Sequence, residues 1–251
     1  MTRLLIIPAA GRGSRLGAGQ PKPLVHVNGR PMLDHLADLY RPYVRHVVVV
    51  AHPSFAAEIE RWGAPQGNVS VTIQDQPTGM LDAILLATPV VRARQPDTVW
   101  VTWADQIGVL PATVQRLAGV GAQAPPPALA LPTVMRRDPY THFDRDAGGR
   151  LSRFLQRREG DAMPAEGESD MGVFALTRDT FLIDLAEYAG TALPAAGTGE
   201  RNFVPFVPWL AQRKTVVTFP STDPMEAIGI NTPEELHAIE AWLRARGARN
   251  E

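Results

Sequence analysis

Leu4-Leu5-Ile6-Ile7-Pro8-Ala9-Ala10-Gly11-Arg12-Gly13-Ser14-Arg15-Leu16-Gly17 opens the chain, and Gln20-Pro21-Lys22-Pro23-Leu24 follows it. The apolar run predicts a short buried strand. It gives way to small residues and glycines, which accept positive φ and let backbone N–H groups approach a ligand closely. Successive N–H groups in such a loop form a concavity that holds anions. Arg12, Arg15 and Lys22 add cations to the same loop. The stretch therefore predicts a triphosphate cradle from Pro8, Ala9, Ala10, Gly11, Arg12 and Gly13. It lies at the carboxyl end of a first strand, where open α/β sheets bind ligands. No Gly-Lys-Ser/Thr ends the loop, so it is not a P-loop. The spacing of Gly11, Gly13 and Gly17 is not G-x-G-x-x-G, which argues against a dinucleotide-binding dehydrogenase.

Downstream, strands and helices alternate. Val44 to Val50 is a β-branched run expected to be a buried parallel strand. Ser54 to about Trp62 reads as a helix, Val69 to Ile73 as a strand, and Gly79 to Leu86 as a helix. Val99 to Thr102 is a strand that delivers Trp103-Ala104-Asp105, and Pro111 starts another helix. This βαβα rhythm predicts an α/β fold with a mostly parallel sheet covered on both faces. The second half is less regular. A β-hairpin, a mobile loop over 159–169 and a return strand from Met171 to Leu176 are expected, then a helix to about Tyr188. Asn202 is expected to cap a helix carrying Phe203, Phe206 and Trp209. Thr232-Pro233-Glu234-Glu235 is a strong helix start: a capping threonine, proline at the first helical position, and glutamates at the positive end of the dipole.

The 251 residues suit one large α/β domain, read as a nucleotide-binding half (1–133), an acceptor-binding half (134–231) and a final helix (232–251). Net charge is −1, which points to no nucleic-acid or membrane partner. There is no cysteine, so disulfide and thiolate chemistry are excluded; this fits a cytoplasmic protein. The first apolar stretch is too short for a signal-peptide core or a membrane span. The six histidines have no metal-ligand spacing.

Two further segments complete a transferase site. Asp105 follows a strand, and a carboxylate there can hold Mg²⁺, which takes one or two protein oxygens plus substrate phosphates. Ile228-Gly229-Ile230 reads as a short strand ending in Asn231, whose amide oxygen is a second candidate ligand. The alternatives are a turn aspartate and a plain helix-capping tract. In Gln74-Asp75-Gln76-Pro77-Thr78-Gly79, a glutamine amide offers one acceptor and two donors, which suits a pyrimidine edge. A polar strand-to-helix turn is the alternative there.

Ala9-Ala10-Gly11-x-Gly13-x-Arg15-Leu16-Gly17 with Pro21-Lys22-Pro23-Leu24 resembles the signature of the sugar-phosphate nucleotidyltransferases, including the N-acetylglucosamine-1-phosphate uridylyltransferase-like and MobA-like members. The resemblance runs from Leu4 to about Ala245. It implies a three-layer α/β/α sandwich of the glycosyltransferase-A-like kind, with Mg²⁺ as cofactor and a nucleoside triphosphate and a sugar phosphate as substrates. By resemblance Asp105 and Asn231 hold the metal, while Gln74 and Gly79 contact uracil. Arg15 and Lys22 are the expected catalytic cations: Arg15 would meet the leaving pyrophosphate, and Lys22 would bridge the α-phosphate and the acceptor phosphate. The middle of the chain departs from the family. Where relatives have a Gly-Tyr-Gly-like turn, a hairpin glutamate and Asn-Thr-Gly, this chain has Pro139-Tyr140-Thr141-His142, Gln156 and Asp170-Met171-Gly172. Tyr140, Gln156 and Asp170 are thus the candidate acceptor contacts, and the acceptor need not be N-acetylglucosamine phosphate. The hexapeptide repeats of bifunctional relatives are missing, so their acetyltransferase activity is not expected. Cytidylyltransferase, molybdopterin-type guanylyltransferase and non-catalytic nucleotide-binding readings remain the alternatives.

Overall fold

The computed structural model of the protein describes residues 1–11, 16, 21–221 and 223–247. Strand β1 (Arg3–Ala9) is followed by a small hairpin, β2 (His26–Val27) and β3 (Arg30–Pro31), and by helix α1 (Met32–Tyr40). Then come β4 (His46–Ala51), α2 (Ala56–Gly63), β5 (Val69–Ile73), α3 (Met80–Leu85), α4 (Thr88–Arg94) and β6 (Thr98–Thr102). Helix α5 (Pro111–Gly121) leads into the long strand β7 (Leu129–Arg137), then the hairpin β8 (Thr141–Arg145) and β9 (Leu151–Gln156). Strands β10 (Glu166–Asp170) and β11 (Val173–Thr177) follow, then α6 (Leu185–Thr191), α7 (Phe206–Ala211), β12 (Val216–Pro220) and α8 (Pro233–Gly247).

Eight strands form one sheet in the order β12-β7-β11-β6-β1-β4-β5, with β10 sharing the β7 edge. β5, β4, β1 and β6 run parallel, and β12 is parallel to β7. Only β10 and β11 run antiparallel to their neighbours. The chain winds outward from β1 to β4 and β5, then returns to β6 on the other side of β1. That reversal places the switch point between the carboxyl ends of β1 and β6, where ligands of open α/β sheets bind. The Gly11 loop and Asp105 emerge from these two ends.

Alternation along the strands divides the core. Leu5, Ile7, Val47, Val49 and Trp100 face one side with α1, α2, α5 and Ile239 of α8. Leu4, Ile6, Val48, Val50 and Val101 face the other with α3, α4, α6 and α7. This is the expected three-layer arrangement. None of the described helices is long and apolar enough to cross a membrane.

Four expectations are corrected. Glu166–Asp170 is not loop but strand, paired with β7 from Arg137 to Thr133. Its polar sequence hides this: Gly167 and Ser169 are the buried positions, and Glu168 is met by a bidentate Arg145 at 2.7 Å. Ile228-Gly229-Ile230 has no strand partner; a 3₁₀ turn over Pro224–Ala227 precedes it. The helix after β11 begins with a π turn, Thr180–Asp184. Asn202 does not cap the following helix, because its side chain accepts from Arg158 and donates to Glu159.

His46, at the start of β4, is 4% exposed. Its Nε2 lies 2.8 Å from Ser70 Oγ, and Nδ1 has no partner among the described residues. Burial, with Arg94 nearby, pushes its pKa down to about 4. The unfolded chain takes up a proton near the ordinary histidine pKa that the folded chain refuses until about 4, so stability falls as pH drops through that window. Thermal unfolding is expected to show a declining Tm between neutral pH and pH 4, and His46→Val to flatten the decline. An unchanged slope in the variant assigns the acid sensitivity to other groups.

Candidate active site

Pro8 and Ala9 are buried in the last positions of β1, registered on Val50 and Ala51. Ala10 and Gly11 emerge from the strand, and among the described residues nothing lies within 4 Å of where a Gly11 side chain would stand. Arg12, Gly13 and Arg15 lie outside the described residues. Lys22 is presented by a 3₁₀ turn, Lys22–Leu24, in which Leu24 N–H bonds Pro21 C=O at 2.9 Å. Pro21 and Pro23 fix φ on either side of it. The turn is braced from behind. Asn28 and Gly29 have φ of 48° and 80°, the paired positive values of a two-residue hairpin. Glu240 of α8 accepts from Asn28 N–H at 3.0 Å, so the last helix holds the hairpin that follows Lys22.

Lys22 Nζ pairs with Asp105 Oδ2 and donates to Asn231 Oδ1 at 2.8 Å. Three residues separated by up to 209 positions thus meet at one point. Each of the Lys22 and Asp105 side chains is 16% exposed. Gly229 explains how the two loops come so close: a Cβ there would stand 3.3 Å from the Asp105 carboxylate. Ile230 N–H reaches Asp105 C=O at 3.3 Å. Asn231 is oriented through its own amide, which donates to Gly229 C=O at 3.0 Å. Its backbone N–H is held at 2.6 Å by Glu235, which also takes Thr232 N–H at 2.9 Å. Thr232 Oγ1 accepts in return from Glu235 N–H at 3.3 Å, which completes a reciprocal capping box. The tract therefore does what its capping signature predicts and also aims the asparagine.

Glu226 is a part of this scaffold that the sequence did not reveal. It is 1% exposed, accepts from Leu110 N–H at 2.8 Å and from Ser221 Oγ at 2.5 Å. It ties the loop leading to Asn231 onto the loop leaving Asp105.

A cleft of about 450 Å³ opens beside Asp105 and Asn231. Tyr140, Gln156 and Asp170 all line it, so the three candidate acceptor residues are brought together. Trp103 forms an aromatic wall with Phe174 and Phe203, at centroid distances of 5.3 Å and 6.1 Å. Gly172, at φ +67°, is required here, because a side chain would run into the Trp103 ring. Asp170 accepts from Gly172 N–H at 3.0 Å and Thr141 Oγ1 at 3.1 Å. Burial nevertheless pushes its carboxyl above the usual aspartate range. Arg136, Arg158 and Gln106 also line the cleft, and no local pattern marked them.

Gln74, just after β5, and Gly79, just before α3, do not themselves line the cleft, although Met80 does. Gln74 is 7% exposed, and its Nε2 donates to Gly79 C=O at 3.1 Å and to Thr78 Oγ1 at 3.4 Å. The amide nitrogen is spent on its own turn, so the group it offers outward is its oxygen. Gly79 has φ +120°, and the place of its missing side chain is taken by the Arg201 backbone, 2.5 Å from an added Cβ.

Residues 5–170 match the MobA-like NTP transferase domain. The chain belongs to that family of nucleotidyltransferases. It is 30% identical over 252 residues to the bifunctional protein GlmU of Pseudomonas putida strain GB-1, covering 98% of this chain and 52% of that protein. It is 29% identical over 244 residues to GlmU of Burkholderia mallei strain SAVP1, covering 94% of this chain and 51% of the relative. The chain thus spans about half the length of the curated relatives it matches. A solved Bacillus anthracis structure, described as a glucose-1-phosphate thymidylyltransferase in complex with a sucrose, shares the fold. Its TM-score is 0.75 at 16% identity, over 97% of this chain and 96% of that one.

Proposed function

We propose that the chain transfers a nucleoside monophosphate, UMP, from the triphosphate to a sugar 1-phosphate and releases pyrophosphate. The observation that carries this is the convergence of Lys22, Asp105 and Asn231 between the loop after β1 and a cleft lined by polar and aromatic side chains. The similarity to GlmU and to a structure described as a sugar-phosphate thymidylyltransferase supports the same class. An acceptor phosphate oxygen attacks the α-phosphorus in line, and pyrophosphate leaves. No covalent enzyme intermediate is needed, so positioning and charge stabilisation supply the catalysis.

The donor set fits Mg²⁺. A carboxylate oxygen and an amide oxygen already converge on one cation, the Lys22 ammonium. Among the described residues no group of three His, Cys, Asp or Glu side chains forms an all-protein cage. Two protein oxygens completed by phosphates and water is the usual Mg²⁺ arrangement. Asp105 and Asn231 would hold the ion, which would neutralise charge on the phosphate oxygens. With those oxygens so engaged, Lys22 would be free to meet the phosphates, where its positive charge opposes the charge that builds as the α-phosphate is attacked. The loop at Ala10 and Gly11 supplies backbone N–H groups to the triphosphate.

Base choice follows from Gln74. With its nitrogen anchored on Gly79 C=O, its oxygen accepts from the N3–H of uracil or thymine. Cytosine presents an acceptor at that position, and turning the amide over would break the anchor. A mismatched buried donor or acceptor costs about 1–3 kcal/mol, or roughly ten- to hundred-fold. A pyrophosphate-release assay over four nucleotides and a panel of sugar 1-phosphates tests the whole reading. UTP or its thymidine analogue is expected to lead, and Gln74→Ala to flatten the preference. GTP as the best donor overturns the base assignment and favours a molybdopterin-type guanylyltransferase, which shares the Asn231-Thr232-Pro233-Glu234 turn.

A further inference from the structure

We propose that the acceptor carries a carboxylate as well as its phosphate, and that Arg136 of β7 receives it. The inference rests on the sugar 1-phosphate reading above and narrows it to an acidic sugar. Arg136 is half-buried on the wall of the cleft. Its Nη1 reaches Ala227 C=O at 3.4 Å. Among the described residues it has no carboxylate partner, whereas Arg145, Arg157, Arg158 and Arg201 each have one.

The other cations at the cleft have carboxylate partners, and among its carboxylates Asp170 and Glu235 are held by neutral N–H and O–H donors. Asp105 is paired with Lys22. Arg158 lies 3.2 Å from Glu159 and 2.9 Å from Glu200. Glu235 takes the Asn231 and Thr232 N–H groups at the positive end of α8. Asp170 accepts from Gly172 N–H and Thr141 Oγ1. Arg136 is the cation left over. An arginine cannot shed its proton to escape burial, and its planar fork matches a carboxylate through two parallel hydrogen bonds. Gln156, facing the same cleft, is a neutral amide that does not repel such a group.

The acceptor phosphate is not the anion concerned. It must lie at Lys22 and Asp105, at the end of β6. Strand β11 lies between β6 and β7, and Arg136 sits further along β7, opposite Gly167 of β10, so it approaches the cleft from a different strand than Asp105 does. Asp105 and Arg136 line one cleft, so a single sugar phosphate bound there can present its phosphate to one and a second anionic group to the other.

The test measures pyrophosphate release with glucose, galactose and mannose 1-phosphates and with the corresponding uronic acid 1-phosphates, each with the best nucleotide. At least one uronic acid 1-phosphate is expected to exceed its neutral counterpart in kcat/KM by about ten-fold or more, the scale of one charged hydrogen-bonded contact. Arg136→Gln is expected to bring that ratio towards one through KM, and Arg136→Lys, which keeps charge but not the fork, to retain part of it. Isothermal titration of the same uronic acid 1-phosphates into the nucleotide-bound protein is expected to show the same loss of affinity in Arg136→Gln. Preference for the neutral sugars overturns the inference and leaves the sugar-phosphate reading standing. A preference for acidic sugars that survives Arg136→Gln overturns the role of Arg136. No release with either class overturns both the inference and the reading beneath it.

Discussion

Asp105→Ala is expected to lower turnover by roughly 10²–10³-fold, the loss typical of removing one electrostatic stabiliser from a reaction centre. The carboxylate accepts from Lys22 and lies across from Gly229, with its own C=O engaged by Ile230 N–H. It is therefore the point where the nucleotide side and the acceptor side of the site join. The substitution removes one of the two oxygens proposed to hold Mg²⁺ and leaves the ammonium of Lys22, among the described residues, with Asn231. The backbone contact to Ile230 does not involve the side chain, so the fold should persist, with circular dichroism and Tm close to those of the parent. The measurement is kcat as a function of Mg²⁺ concentration. Asp105→Asn keeps an oxygen donor but not the charge, and is expected to fall between the two with a raised Mg²⁺ requirement. Normal turnover of Asp105→Ala at limiting Mg²⁺ removes the metal assignment.

The parts of this site legible in sequence are those whose chemistry is local. β1 shows as an apolar run, and the loop after it as glycines with cations. The start of α8 shows because Thr232, Pro233 and Glu235 each satisfy a different demand of a helix N-terminus. Asp105 shows because an apolar strand delivers it. β10 does not show, since Glu166-Gly167-Glu168-Ser169-Asp170 is polar throughout. Its strand conformation is imposed by pairing with β7 and by the Arg145–Glu168 contact, 23 residues apart in sequence. Glu226 and Arg136 are invisible for the same reason. One matters because Leu110 lies 116 positions away, the other because its neighbours in the cleft come from other loops. Asn202 departs from its expected role: an asparagine ahead of an apolar run is a common cap, and only the folded chain brings Arg158 to it.

Lys22→Ala is expected to reduce kcat by two orders of magnitude or more while nucleotide affinity changes less than ten-fold. A contact that strengthens as charge develops acts on the transition state and leaves ground-state binding largely alone. The resting geometry sharpens the expectation. The ammonium sits between Asp105 and Asn231, on the two oxygens proposed to hold the metal. A metal ion held by Asp105 and Asn231 would therefore compete with the lysine for those oxygens and free Lys22 for the phosphates. Two consequences separate this from a lysine that only attracts nucleotide. First, Lys22→Met, which keeps the stem and removes the charge, should bind Mn²⁺ more tightly than the parent protein in the absence of nucleotide. Second, Lys22→Arg should recover little turnover, because a planar fork does not reproduce a compact ammonium between two oxygens. Weaker nucleotide binding with unchanged kcat makes Lys22 a binding residue. Equal Mn²⁺ affinity in parent and Lys22→Met shows that lysine and metal do not share a position, and the exchange that couples metal loading to catalysis fails with it.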